Sequence, residues 1–226
     1  GMMEIVATIA DPIRQIAQIG GHVVVVLMAV AVLTLAVALY KMWQFWMSAV
    51  GRHVALTEAV SAWDNGDRIS AREALSRSQS YLAPVIDMAM ASPLDGVTRL
   101  QAEAETRFAR LESGFRLLDS VAQLAPLLGL FGTVLGMIEA FQSLQSAGTQ
   151  VDPSILAGGI WVALLTTAVG LVVAVPTALV LSWLEGRMEA ERVIADQAIL
   201  TVLYPSGSIR VKDTVSADRG RMPVHG

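Results

Sequence analysis

Three long apolar runs, separated by stretches with helical periodicity, set the pattern of this chain. Residues 23–40, 121–138 and 154–184 contain no Asp, Glu, Lys or Arg. A helix needs about 20 mostly apolar residues to cross a bilayer, so each run predicts a membrane helix. The first span is placed at 20–46, where Tyr40, Trp43 and Trp46 suit an interfacial belt and Lys41 snorkels to its edge. The second is placed at 121–142 and the third at 154–184. The third exceeds what a bilayer requires, so it tilts or projects into water.

Between the runs the spacing is also helical. Ile5, Ile9, Ile13 and Ile16 recur within 4–19, which reads either as an amphipathic helix on the outer membrane surface or as a lead-in to span one. The insert at 47–120 opens with a helix stopped by Asn65-Gly66. Ser70-Ala71-Arg72-Glu73 has the form of a capping box that starts a second helix, and Pro84 and Pro93 mark breaks. Leu100, Phe108, Leu111, Phe115 and Leu118 predict one helix rising from residue 97 into span two, with Gly114 the one interruption in its pattern. Span three runs on as a helix over 185–204. There Arg187 with Glu191, and Arg192 with Asp196, are spaced to pair. Residues 205–226 read as a disordered tail. The fold class is an all-α integral membrane protein of three transmembrane helices, with long cytoplasmic helical extensions of spans two and three.

Composition agrees with the membrane reading. Of 226 residues 54% are hydrophobic and 16% charged, too apolar for an ordinary soluble domain. The net charge of −4 gives no reason to expect nucleic acid, and the lack of cysteine excludes disulfides. Eight arginines fall in 47–120, Arg14 alone precedes span one, and the 143–153 loop has no Lys or Arg. Positive-inside reasoning puts the N-terminus and the 143–153 loop outside, and the insert and C-terminus in the cytoplasm. No positive cluster precedes span one, and that span is too long for a signal-peptide core.

The candidate chemistry lies in the spans. His22, His53 and His225 stand apart and read as surface residues, so no metal site is expected and no cofactor. Gly129-Leu130-Phe131-Gly132 lies inside a span and not at a phosphate loop. No enzyme is expected. On span two Pro126, Gly129, Thr133, Gly136 and Ala140 share a face. On span three Ile160, Ala163, Thr167, Gly170 and Ala174 do the same, with Thr166 adjacent. Gly132 and Pro176 complete the packing set. One reading is tight helix packing, with each hydroxyl bonded to its own i−4 carbonyl. The other makes Thr133, Thr167 and Thr166 the lining of a narrow polar path. The span cores carry no titrating side chain, Glu139 sitting at the outer end of span two. A carboxylate for proton flow would therefore come from another subunit.

At these residues the chain resembles the ExbB/TolQ/MotA proton-channel family, most closely the ExbB/TolQ branch. Residues 125–138, APLLGLFGTVLGMI, resemble the branch's APLLGLLGTVxGMI signature. Residues 159–171, GIWVALLTTAVGL, resemble GIxEALLxTAxGL. The resemblance implies a homopentamer in the lipid bilayer of the bacterial inner membrane. It also implies an ExbD/TolR-like single-span subunit that supplies the titrating Asp, and a TonB-like or TolA-like protein that receives the work. By the matching motif, Thr133 and Thr167 correspond to the pore-facing threonines. The family usually has glutamate where this chain has Val162. Three functions follow as expectations: ExbB-like energising of TonB-dependent transport, TolQ-like service to envelope integrity and constriction, or a non-conducting membrane scaffold.

Overall fold

The computed structural model describes residues 1–91, 96–150 and 152–206, and all of their side chains except those of 12, 13 and 15–20. Among these residues there are seven helices and no strand. They are α1 (Met2–Met47), α2 (Val54–Asp64), α3 (Arg68–Arg77), α4 (Ala83–Ala91), α5 (Val97–Leu111), α6 (Phe115–Ala147) and α7 (Pro153–Leu203). Gly21–Met47, Phe115–Ala147 and Pro153–Leu203 are each long and apolar enough to cross a membrane. The protein is an all-α membrane protein. Pro93, His225 and all of the expected tail beyond Ser206 lie outside the described residues.

The chain forms two compact units, each assembled from two separate stretches. The first comprises Gly1–Tyr40 and Gly114–Trp183. In it α1 is interrupted at Gly21, whose φ of 69° is open to glycine without strain. Ile5 and Ile9, on the segment before this bend, are exposed. The unit's core brings together Leu27 of α1, Val121 and Ala125 of α6, and Val173 and Ala174 of α7. Large apolar side chains such as Leu130, Phe131, Leu164 and Val172 point outward. That inside-out distribution is stable in lipid and costly in water.

The second unit comprises Lys41–Ser113 and Leu184–Gly226. Leu100, Ala104, Phe108 and Leu111 are buried along one face of α5. Leu56, Ala59 and Trp63 of α2, and Met188 and Ile199 of α7, are buried in the same unit. Trp63 Nε1 donates to the Val202 carbonyl at 3.0 Å, which satisfies the indole's one polar group.

Several local expectations are corrected here. The capping box at Ser70 does not form. Asp67 caps α3, its carboxylate accepting from Ser70 N–H at 3.0 Å, so Ser70 already lies inside the helix. These bonds from Ser70 hold the Asp67 carboxyl below its usual value. The single helix expected from residue 97 is two helices. Gly114 takes φ 88°, a left-handed conformation that ends the helical ladder, and α6 starts after it.

Lys41 does not snorkel. It is 2% exposed, and Nζ donates to Gln44 Oε1 at 2.6 Å, Leu111 O at 3.0 Å and Ser113 Oγ at 2.9 Å. The end of α5 leaves carbonyls without intrahelical partners, and the ammonium bonds to one of them. The i,i+4 pairs expected on α7 give way to longer-range partners. Arg192 donates to Glu112 at 2.5 Å and Glu105 at 3.1 Å, and Asp196 accepts from Gln101 at 3.4 Å. Glu191 is drawn inward, as described below.

Candidate functional site

The two small-residue stripes meet each other within the first unit. A Cβ added at Gly170 would stand 2.7 Å from the Ala125 carbonyl oxygen and 3.1 Å from Gly129 Cα. One added at Gly129 would stand 3.1 Å from the Thr166 carbonyl. Backbone therefore lies on backbone, a separation that only glycine permits. Gly136 faces Ala163 at 3.5 Å by the same measure, without overlap. Pro126 is half-buried on α6 and Pro176 is exposed on α7.

This close approach places Thr133 against Thr167. Their hydroxyls hydrogen-bond to each other. Thr133 Oγ1 also lies 3.0 Å from the Ala163 carbonyl across the interface and 3.2 Å from the Gly129 carbonyl on its own helix. The Ala163 carbonyl is also the i−4 acceptor of Thr167. One backbone oxygen and two hydroxyls thus form a compact polar knot, half-buried, between α6 and α7. It offers acceptors and two mobile protons and no group that titrates near neutral pH. Thr166 is placed differently. It is 0% exposed and donates to Val162 O at 2.8 Å. Its methyl fills the space that Gly132 leaves, where a Cβ would overlap it.

Val162 lines a cavity of about 460 Å³ between α1, α6 and α7. His22, Glu139 and Ser143 line it too, as do Gly136, Gly158 and Gly159. Sequence reasoning placed Glu139 at a helix end and His22 on the surface, and did not bring them together. A signal was present: Glu139 is the one charged residue in 121–142, and Gly21-His22 is a polar break ahead of the first apolar run.

The second unit holds a buried polar network at a residue expected on the surface. His53 is 5% exposed. Its Nε2 lies 2.5 Å from Glu191 Oε2, and its Nδ1 lies 2.7 Å from Ser80 Oγ. Tyr81 Oη donates to the same Glu191 oxygen at 2.6 Å. With Glu191 ionised, Nε2 carries the proton of the short contact, and the Ser80 hydroxyl bonds the other ring nitrogen. Burial raises the Glu191 pKa, but the hydrogen bonds from His53 and Tyr81 outweigh it and hold the carboxyl below its usual value. Burial, and then the bond to Glu191, push the Tyr81 hydroxyl well above its usual value. Among the described residues no group of three His, Asp or Glu side chains is arranged to hold a metal.

Comparison with known proteins adds an independent line. The model of the MotA/TolQ/ExbB proton channel family matches residues 67–197. "Putative biopolymer transport protein ExbB-like 1" of Synechocystis sp. is 32% identical over 163 residues, 69% of this chain and 64% of that protein. "Biopolymer transport protein ExbB" of Neisseria gonorrhoeae is 33% identical over 147 residues, 61% of this chain and 66% of its own length. "Tol-Pal system protein TolQ" of Haemophilus influenzae is 40% identical over 80 residues, 35% of each chain. In each case the match spans less than two thirds of the relative.

Proposed function

The chain belongs to the MotA/TolQ/ExbB proton channel family, and from that premise we propose that it is an ExbB-like subunit of a motor driven by the proton motive force. In this reading it sits in a bacterial inner membrane, with its N-terminus and α6–α7 loop periplasmic and its C-terminus cytoplasmic. Several copies, five by the family resemblance, form a ring around a single-span subunit of the ExbD/TolR kind. That partner brings the membrane aspartate, and a TonB-like protein receives the work for outer-membrane transport.

The observation that supports this reading best is the polar knot of Thr133, Thr167 and the Ala163 carbonyl. Packing alone does not require two hydroxyls to meet at the place where two membrane helices touch. In a ring such knots supply donors and acceptors to a water or to a partner's carboxyl while storing no charge themselves. The uncharged cores 23–40, 121–138 and 154–184 hold no Asp, Glu, Lys or Arg, so in this reading the partner supplies the carboxylate at their depth.

The test is co-expression with a short, single-span protein carrying an aspartate in its span. Native mass spectrometry should give a pentamer of this chain with the partner enclosed. Proteoliposomes of the complex should pass protons down an imposed gradient. A stable monomer or dimer, or a complex tight to protons, overturns the reading. The TolQ relative keeps a second assignment open, in which the same motor serves envelope integrity through a TolA-like protein. The gene beside this one, encoding either a TonB-like or a TolA-like protein, separates the two.

A further inference from the structure

We propose that the cavity between α1, α6 and α7 is a hydrated vestibule in which the Glu139 carboxylate takes up and releases protons, with His22 as its titratable neighbour. The inference deepens the channel reading and rests on it for its purpose, but its test does not depend on conduction.

The cavity's volume of about 460 Å³ leaves room for on the order of ten waters. Gly158 leaves part of that space open. A Cβ at Gly158 would meet nothing within 4 Å, so the α7 wall is open there. The bend at Gly21, with φ 69°, starts the spanning part of α1, and the exposed His22 beside it lines the cavity. Polar side chains then come from two helices: Glu139 and Ser143 from α6, and His22 from α1. Asp152, just ahead of α7, accepts from Ser154 N–H at 3.0 Å and does not line the cavity. No lining residue of α7 titrates.

Val162 and Gly136 belong to the cavity's wall. The next residue after Val162 is Ala163, whose carbonyl holds Thr133 at 3.0 Å. The vestibule thus comes within one residue of the threonine knot. A carboxylate so placed has a simple step to perform. Hydronium in the cavity gives its proton to Glu139, leaving water and a neutral carboxylic acid, and in the reverse step the acid returns the proton to a cavity water, leaving hydronium and the carboxylate. A charge at the edge of a membrane span is expensive unless water or a partner reaches it, and the vestibule supplies the water.

The chain has no cysteine, so single-cysteine labelling reports on one position at a time. Full-length Val162→Cys and Leu164→Cys variants in liposomes would be exposed on both faces to a water-soluble methanethiosulfonate. Leu164 is exposed on the apolar outer surface. A thiol in lipid whose pKa rises even one unit carries about tenfold less thiolate, so Val162→Cys should react at least about tenfold faster. In parallel, infrared pH titration of the reconstituted chain should show a carboxyl band that Glu139→Gln removes and Glu139→Asp retains. His22→Gln should move its midpoint, and Glu4→Gln should leave it in place. Equal labelling at Val162→Cys and Leu164→Cys, or a carboxyl band untouched by Glu139→Gln, overturns the vestibule. A complex tight to protons whose band and labelling behave as expected overturns the channel reading alone.

Discussion

His53 Nε2 stands 2.5 Å from Glu191 Oε2, joining residues 138 positions apart in a buried contact of the second unit. Tyr81 donates to the same carboxylate. This network has a pH signature. The folded-state pKa of Glu191 is depressed below the ordinary value of 4.5, so its contribution is fully present above that value and is lost as pH falls through the depressed one. Thermal melts of the full chain should therefore weaken below pH 4.5. Glu191→Ala should flatten that dependence and cost about 1.5–3 kcal/mol at neutral pH, the worth of a hydrogen bond to a charged group. A variant melting with unchanged temperature and slope would remove the network from the list of stabilising contacts.

Gly170 should be hard to replace. Its added Cβ would meet the Ala125 carbonyl and the Gly129 backbone, which have no rotamer to change. Gly170→Ala should cost about 1–3 kcal/mol by overpacking and should loosen oligomers. Gly186→Ala is the control, because nothing lies within 4 Å of its added Cβ. There the gain in helix propensity should stabilise by up to about 1 kcal/mol. Melting and size-exclusion profiles of the two variants check the contrast.

Thr133→Val and Thr167→Val keep the side-chain shape and delete the hydroxyls of the knot. If the hydroxyls serve ion flow, assembly should persist while proton-driven function falls sharply. If they serve packing alone, each loss should appear as about 0.5–1.5 kcal/mol of stability, with flux intact. Flux and melting measured on the same double variant decide between the two. Full flux in that variant would leave the pore role without support.

The spans were legible because a bilayer imposes a rule on every residue of a segment, so an uncharged run such as 121–138 speaks for itself. The meeting of Thr133 and Thr167 was half legible. Helical spacing put each on a glycine face, but only the fold shows the faces pressed together. The cap of α3 was misread because two residues compete for it. Asp67 follows the left-handed Gly66, φ 87°, which ends the preceding turn, so the chain enters the helix before reaching Ser70. The polar partners of Lys41, His53 and Arg192 were out of reach for a different reason. The Leu111 carbonyl for Lys41, Glu112 for Arg192 and Glu191 for His53 sit 70, 80 and 138 residues away, beyond any local spacing rule, and burial strengthens such contacts over the i,i+4 partners on an exposed helix. His53 shows the consequence. An isolated histidine in the sequence is a surface residue only if nothing distant is folded onto it.

By the resemblance to the family's signature, Val162 stands where a glutamate is usual, and its surroundings say what a carboxylate there would do. Its side chain lines the same cavity as Glu139. Val162→Glu would add a second acid to that space, and two acids within one cavity titrate as a coupled pair with apparent values that belong to neither alone. If Glu139 and the partner's aspartate already carry the protons, the change should alter the pH dependence of flux without being needed for it. Glu139→Gln should then be tolerated better in the Val162→Glu background than alone, because the cavity keeps one acid. Flux of the four variants, with and without each change, measured across pH in the complex with the proposed single-span partner, gives the comparison. If the valine protein is inert with its partner and Val162→Glu alone brings proton flux, then Glu139 does not substitute for the missing carboxylate, and the chain acts in its present form as a membrane scaffold.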